Sequence, residues 1–148
     1  MVYNIRAIRE NELEQLLALF QYLNPEDPSL EEQTQYAVWD QFIHDPKITC
    51  IVVEEGGQLI ASCTLVMVPN LTRSARPYGL IENVISHPDF RKQGIGKQML
   101  QHALNLAWEQ NAYKVMLLTG RNDEKVFKFY EQAGFKRGIK TGFIAKPE

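Results

Sequence analysis

Glu82 and the run Arg91-Lys92-Gln93-Gly94-Ile95-Gly96-Lys97 place a carboxylate and a glycine turn close together in one stretch of chain. The turn opens a pattern with Ile95, Met99, Ala103 and Ala107 on one stripe, which predicts an amphipathic helix. At a helix start the first backbone N–H groups have no intrahelical acceptor, and the dipole adds partial positive charge. Such a turn suits phosphate oxygens. Arg91, Lys92 and Lys97 would add charge beside it, or simply form a solvated helix start. Glu82 lies in Leu80-Ile81-Glu82-Asn83-Val84-Ile85, an apolar strand pattern in which burying a carboxylate is costly unless it is paired. Either alternation or a bulge turns it toward water, or it meets an arginine, or partial burial raises its pKa and makes it a general base. Cradle and candidate base in one segment indicate an enzyme using a phosphorylated cofactor.

Two common phosphate-binding patterns do not fit. A dinucleotide fingerprint needs a third glycine where Met99 stands, and an acidic residue ending the next strand, here Lys114–Thr119. A phosphate-loop NTPase needs Lys followed by Ser or Thr, and Lys97 precedes Gln98. Further along, Phe129-Tyr130-Glu131-Gln132-Ala133-Gly134-Phe135 ends a second helical pattern with Val126, Tyr130 and Ala133 on one face. Tyr130 packs well there as a core aromatic, but its hydroxyl needs a polar partner if buried.

Strand and helix signals alternate around these segments. A strand at Ile5–Ile8 precedes a helix opened by an Asn11/Glu14 capping box, which Pro25 and Pro28 interrupt. A Ser29/Glu32 box opens a second helix to about His44, and Thr49–Glu54 with Leu59–Val68 reads as a hairpin. Leu80–Ser86, the helix from Ile95, Val115–Thr119, a helix from Asp123 to Ala133 and a last strand at Ile139–Ala145 complete the order. This predicts an α/β fold: one domain over 1–148, its mixed sheet antiparallel early and parallel around the crossover helix. A chain of 148 residues buries one core, and no linker divides it. Net charge of −2 gives no general attraction to nucleic acid or anionic membrane. No signal-like or membrane-length apolar run occurs, so the chain reads as cytoplasmic. His44, His87 and His102 lack zinc-ligand spacing, so no metal is expected. A tight turn at Glu55–Gln58 would set Cys50 opposite Cys63, where a disulfide is conceivable but two reduced thiols are expected.

Together the two segments resemble the GNAT superfamily of acetyl-coenzyme-A-dependent N-acetyltransferases. Its Gln/Arg-x-x-Gly-x-Gly/Ala signature is matched by Arg91, Gly94 and Gly96, and its Tyr-x-x-x-Gly-Phe by Tyr130, Gly134 and Phe135. Around Ile81-Glu82-Asn83-Val84 the pattern is nearest to small bacterial members and glucosamine-6-phosphate N-acetyltransferases. Where many members carry Asn seven residues before the Tyr, this chain has Asp123, with Asn122 adjacent. The resemblance implies acetyl-CoA as acetyl-donor cosubstrate. Its pyrophosphate would meet the N–H groups of Gln93, Gly94, Ile95, Gly96 and Lys97, with Arg91 and Lys92 nearby and Asn122 in reach. Pantetheine would pair with main-chain groups of Val84, Ile85 and Ser86, and an N–H near Val84 would hold the oxyanion. Glu82 would take the proton of the acceptor ammonium, directly or through water, and Tyr130 would protonate the departing thiolate.

For the acceptor, the resemblance points to the first two helices and the loop before the central strand. Asn24–Pro46 carries Glu26, Asp27, Glu31, Glu32, Asp40 and Asp45 and no Lys or Arg, which suits a polycation. Arg73 and Arg76 in the loop instead suit a phosphate or carboxylate. A small-molecule primary amine, such as an amino sugar, is the expectation. The alternatives are a protein lysine or N-terminal acetyltransferase and a non-catalytic acyl-CoA sensor. A homodimer fits the family's habit.

Overall fold

The computed structural model describes residues 3–91 and 93–147. Five strands, β1 (Asn4–Ala7), β2 (Ile48–Glu55), β3 (Gln58–Val68), β4 (Tyr78–Ser86) and β5 (Val115–Leu117), lie side by side in chain order. All pairs are antiparallel except β4 with β5. That parallel pair needs a crossover, and α4 (Ile95–Glu109) supplies it. A 3₁₀ turn (Glu10–Glu12), α1 (Leu13–Leu23) and α2 (Glu32–His44) cover one face of the sheet. On the other lie α4 and α5 (Glu124–Gln132). A one-turn element, α3 (Thr72–Ala75), joins β3 to β4 and carries left-handed dihedrals at Arg73 and Ser74.

Alternation along β2 builds both cores. Cys50 and Val52 pack with Leu16, Leu19 and Trp39, while Ile51 and Val53 pack with Met99, Leu100 and Ala103. The stripe expected on α4 is buried as read: Met99, Ala103 and Ala107 are inaccessible and Ile95 nearly so.

Several local expectations are corrected. Neither capping box forms. Buried Glu12 accepts hydrogen bonds from Arg6 Nη1 and Nη2, each at 2.8 Å, and from the Arg9 N–H at 2.7 Å, so the 3₁₀ turn ends there and α1 follows. α2 starts only at Glu32, capped by extended Glu31, which leaves Ser29 outside it. The hairpin turn pairs Glu55 with Gln58, but an irregularity between Val53 and Glu54 shifts the register to Cys50↔Thr64 and Ile51↔Cys63. The two thiols therefore face opposite cores and cannot be bridged. Burial pushes them up to about 11 and about 12. The strand expected at Ile139–Ala145 is not formed, and Ile139, Phe143 and Ile144 are largely exposed. β5 ends at Leu117, two residues earlier than expected, and offers only a short edge for pairing.

Candidate active site

β5 pairs with β4 only at Gly79–Ile81, and then the strands part. The cause lies in β4. Its register against β3 steps from Thr64↔Glu82 to Ser62↔Ile85, so β4 holds one extra residue there. Asn83 takes the strain with φ of 53°, a left-handed conformation that Asn tolerates better than most residues. Asn83 and Val84 have no register partner on β3, and past Ile81 β4 has none on β5. A cleft of about 680 Å³ opens past the bulge. Ile81–Ser86 form one wall and Leu117–Arg121 the other, with the first turn of α4 and Val126, Phe129 and Tyr130 of α5 completing it. Leu23 and Asn24 reach it from the end of α1.

Of the readings open for Glu82, a bulge that turns it toward water is the one the fold shows: its side chain is exposed and lines the cleft, without the partial burial that the alternative required. The turn ahead of α4, which lines the same cleft, has the form expected of it. Gly94 adopts φ of 77° before α4, and the Gln98 N–H is the first to turn back, to the Gly94 carbonyl at 3.1 Å. The N–H groups of Ile95, Gly96 and Lys97 thus have no intrahelical acceptor, and no described side chain caps them. Gly96 serves a second purpose. A Cβ there would lie 2.8 Å from the Phe129 ring, so α5 can approach α4 only at a glycine.

Tyr130 is half-buried and meets Phe129 and Phe135 edge-on. Burial raises its pKa, against the opposing charge of Arg121, so the phenol keeps its proton at neutral pH. Arg91 folds back and donates from Nε to the Ser86 carbonyl at 3.2 Å, still within the cleft lining. Val84, Ile85, Ser86, Gly94, Ile95, Gly96 and Lys97 line the cleft as well. Ile85 and Ile95 bury their side chains in the two cores and can offer a ligand only main chain. Gln93 and Asn122 do not line it. Gln93 Oε1 instead accepts from the Tyr3 hydroxyl at 2.7 Å, and Asn122 is exposed beside Asp123, whose carboxylate caps α5. Lys92 lies outside the described residues.

Sequence reading missed the β5 wall, above all Arg121, the cation nearest Tyr130 in its effect. The signal was present, because a β4–α4–β5 crossover brings both strand ends to one side of the sheet. Arg76 is corrected too: it donates to the Asn111 and Ala112 carbonyls at 3.1 and 3.0 Å and holds the α4–β5 loop. The acidic residues of Asn24–Pro46 mostly face solvent. Among the described residues no group of three or more His, Cys, Asp or Glu is placed to hold a metal, and no helix is long and apolar enough to cross a membrane.

Residues 16–135 match the model of the acetyltransferase (GNAT) family. A glucosamine 6-phosphate N-acetyltransferase of Trypanosoma brucei brucei is 29% identical over 89% of this chain and 88% of its own length. The enzyme of that name from Schizosaccharomyces pombe is 39% identical over 59% of this chain and 78% of its own. Among solved structures, a provisionally named acetyltransferase from Agrobacterium tumefaciens str. C58 superposes with a TM-score of 0.92 at 45% identity, covering 97% of this chain and 99% of that one.

Proposed function

The chain belongs to the acetyltransferase (GNAT) family, and from that premise we propose that it acetylates the primary amine of a small acceptor, an amino sugar being favoured. The observation that carries this reading is the parted β4–β5 cleft, with unpaired helix N–H groups at one end and a carboxylate at the bulge. Acetyl-CoA would supply the acyl thioester. The N–H groups of Ile95, Gly96 and Lys97 hold phosphate oxygens, and the unpaired main chain of Asn83 and Val84 receives the extended arm of the donor. An N–H at the bulge stabilises the developing oxyanion. Glu82 accepts the acceptor's ammonium proton, directly or through water, and Tyr130 gives its proton to the leaving sulfur.

Support for a charged acceptor comes from the same strand. Tyr78, Leu80 and Glu82 share one face of β4. At its far end the Lys114 ammonium lies 5.3 and 5.2 Å from the Tyr78 and Tyr113 rings, and Arg73 lies 5.7 Å from Tyr113. Cations there and a carboxylate at the bulge favour an amine that also bears an anionic group, and the names of the two relatives lean the same way.

The test uses exposed Lys97 rather than Gly96. Acetyl-CoA should raise the melting temperature of the wild type, because a ligand that binds only the native state stabilises it by mass action. Lys97→Glu should melt normally alone and lose most of that shift. A thiol-release assay across amino sugars, their phosphates, aminoglycosides and polyamines then identifies the acceptor. Binding without turnover on any amine would leave a sensor in place of an enzyme.

A further inference from the structure

Between the end of β4 and the start of α4, a 3₁₀ turn, Pro88–Phe90, is the one regular element among the described residues. Arg91 and the unpaired N–H groups both depend on where this stretch sends the backbone. His87 is the residue that holds it. Its backbone N–H donates to the Ile60 carbonyl of β3 at 2.7 Å. Its Nδ1 accepts the Asp89 N–H at 3.1 Å and so caps the 3₁₀ turn. Because Nδ1 is an acceptor, the neutral ring carries its proton on Nε2. That nitrogen lies 3.3 Å from the Tyr22 hydroxyl. The ring is also held edge-on between Tyr22 and Phe90, with centroids 4.9 and 5.6 Å away, and is only 16% exposed.

These contacts reach two walls of the cleft at once. Phe90 and Arg91 line it from the β4–α4 turn, and Leu23 and Asn24, directly after Tyr22, line it from α1. We propose that His87 is a positioning residue for the donor: by capping the turn through Nδ1 and tying α1 to it through Nε2, it holds the phosphate cradle in its binding pose. The inference rests on the donor-site reading of the cleft. It assigns His87 no contact with substrate and no proton transfer.

The experiment compares His87→Phe, His87→Asn and Tyr22→Phe in the full chain, with acetyl-CoA affinity and steady-state kinetics as readouts. Phe keeps the aromatic edges but removes both side-chain hydrogen bonds, so affinity should fall about tenfold while kcat at saturation changes little. Asn restores an acceptor that takes the N–H two residues on, and should recover most of the loss. Tyr22→Phe breaks only the tie to α1 and should weaken binding by about twofold to fivefold. Wild-type affinity in folded His87→Phe, equal losses in the Phe and Asn variants, or a loss confined to kcat each overturns the role. If His87→Phe does not fold, unchanged affinity in Tyr22→Phe, or a loss in His87→Asn as large as tenfold, does so instead. A wild type that ignores acetyl-CoA removes the donor-site reading itself, a result distinct from variants that bind as the wild type does.

Discussion

At the residue scale, Glu82 and Tyr130 differ in what their removal should do to the fold. Glu82 is exposed at the bulge and forms no ion pair among the described residues, so Glu82→Gln should leave stability nearly unchanged. Its effect should fall on rate, most strongly near neutral pH, where the acceptor amine is protonated and needs a base, and less at high pH. A uniform loss across pH would make it a substrate-positioning group. Tyr130→Phe keeps the ring against Phe129 and Phe135, so stability should shift by no more than about 1 kcal/mol. Removing the protonated phenol should lower kcat by roughly 10²-fold or more, with acetyl-CoA affinity little changed. The deficit should shrink with a donor whose thiol is more acidic. Wild-type turnover in the Phe variant, with chemistry rate-limiting, would reduce Tyr130 to packing. Both positions stood out in the sequence, Glu82 inside an apolar strand and Tyr130 through the family signature, and their roles rested on the resemblance. Whether Glu82 is turned to water stayed open, because that depends on a bulge that no period-2 pattern locates.

Elements set which substitutions can be read cleanly. Gly96 stood out in the sequence as a turn glycine at a helix start, but its approach to Phe129 links two helices far apart in sequence and shows only in three dimensions. A Cβ 2.8 Å from that ring must displace it, so Gly96→Ala should cost about 1–3 kcal/mol and weaken acetyl-CoA binding through the shifted α5. Phe129→Leu removes the crowding atoms. The double variant should therefore be more stable than the sum of the single losses predicts, read by denaturant melts. Strict additivity would place the cost of alanine elsewhere. The same distinction between local and remote causes explains which elements were legible. α4 is a long stripe with one buried side, so its period alone identifies it. Asp123, a helix-capping residue type, marked the start of α5. The start of α1 went to Glu12 instead, because Arg6 on β1 binds its carboxylate across the fold. Ile139–Ala145 has a strand's composition, but a three-residue β5 gives it too little edge.

For the whole molecule, the sheet's two apolar faces carry the core, and the polar tie between them and the chain's beginning is the Arg6 cluster. Arg6 spans from β1 to Glu12 of the 3₁₀ turn and Glu54 of β2, with side chains mostly out of solvent. The layer order, two helical layers on a mixed sheet, followed from the alternation of strand and helix signals. This cluster did not, since its members are far apart in sequence. The Arg6 guanidinium holds the Glu12 carboxyl below its ordinary value of 4.5, against the opposing effect of burial and with help from the Arg9 N–H. The sign of the consequence follows from linkage. As pH falls, the unfolded chain takes up the Glu12 proton before the folded chain does, so protonation favours unfolding. The contribution of Glu12 is complete above the ordinary carboxylate range and is lost as pH drops through the lowered folded value. Glu12→Gln removes the charge and leaves Arg6 with Glu54 as its remaining described ion-pair partner. The variant should therefore be clearly less stable than the wild type at pH 7, since removing one member of a mostly buried pair is costly. Below about pH 4.5 the gap should narrow steadily as the wild type loses its own ion pair. Urea melts of both proteins from neutral pH downward measure it directly. A gap that stays constant into acid would mean that Glu12 stabilises by shape and hydrogen bonding, with no net contribution from its charge.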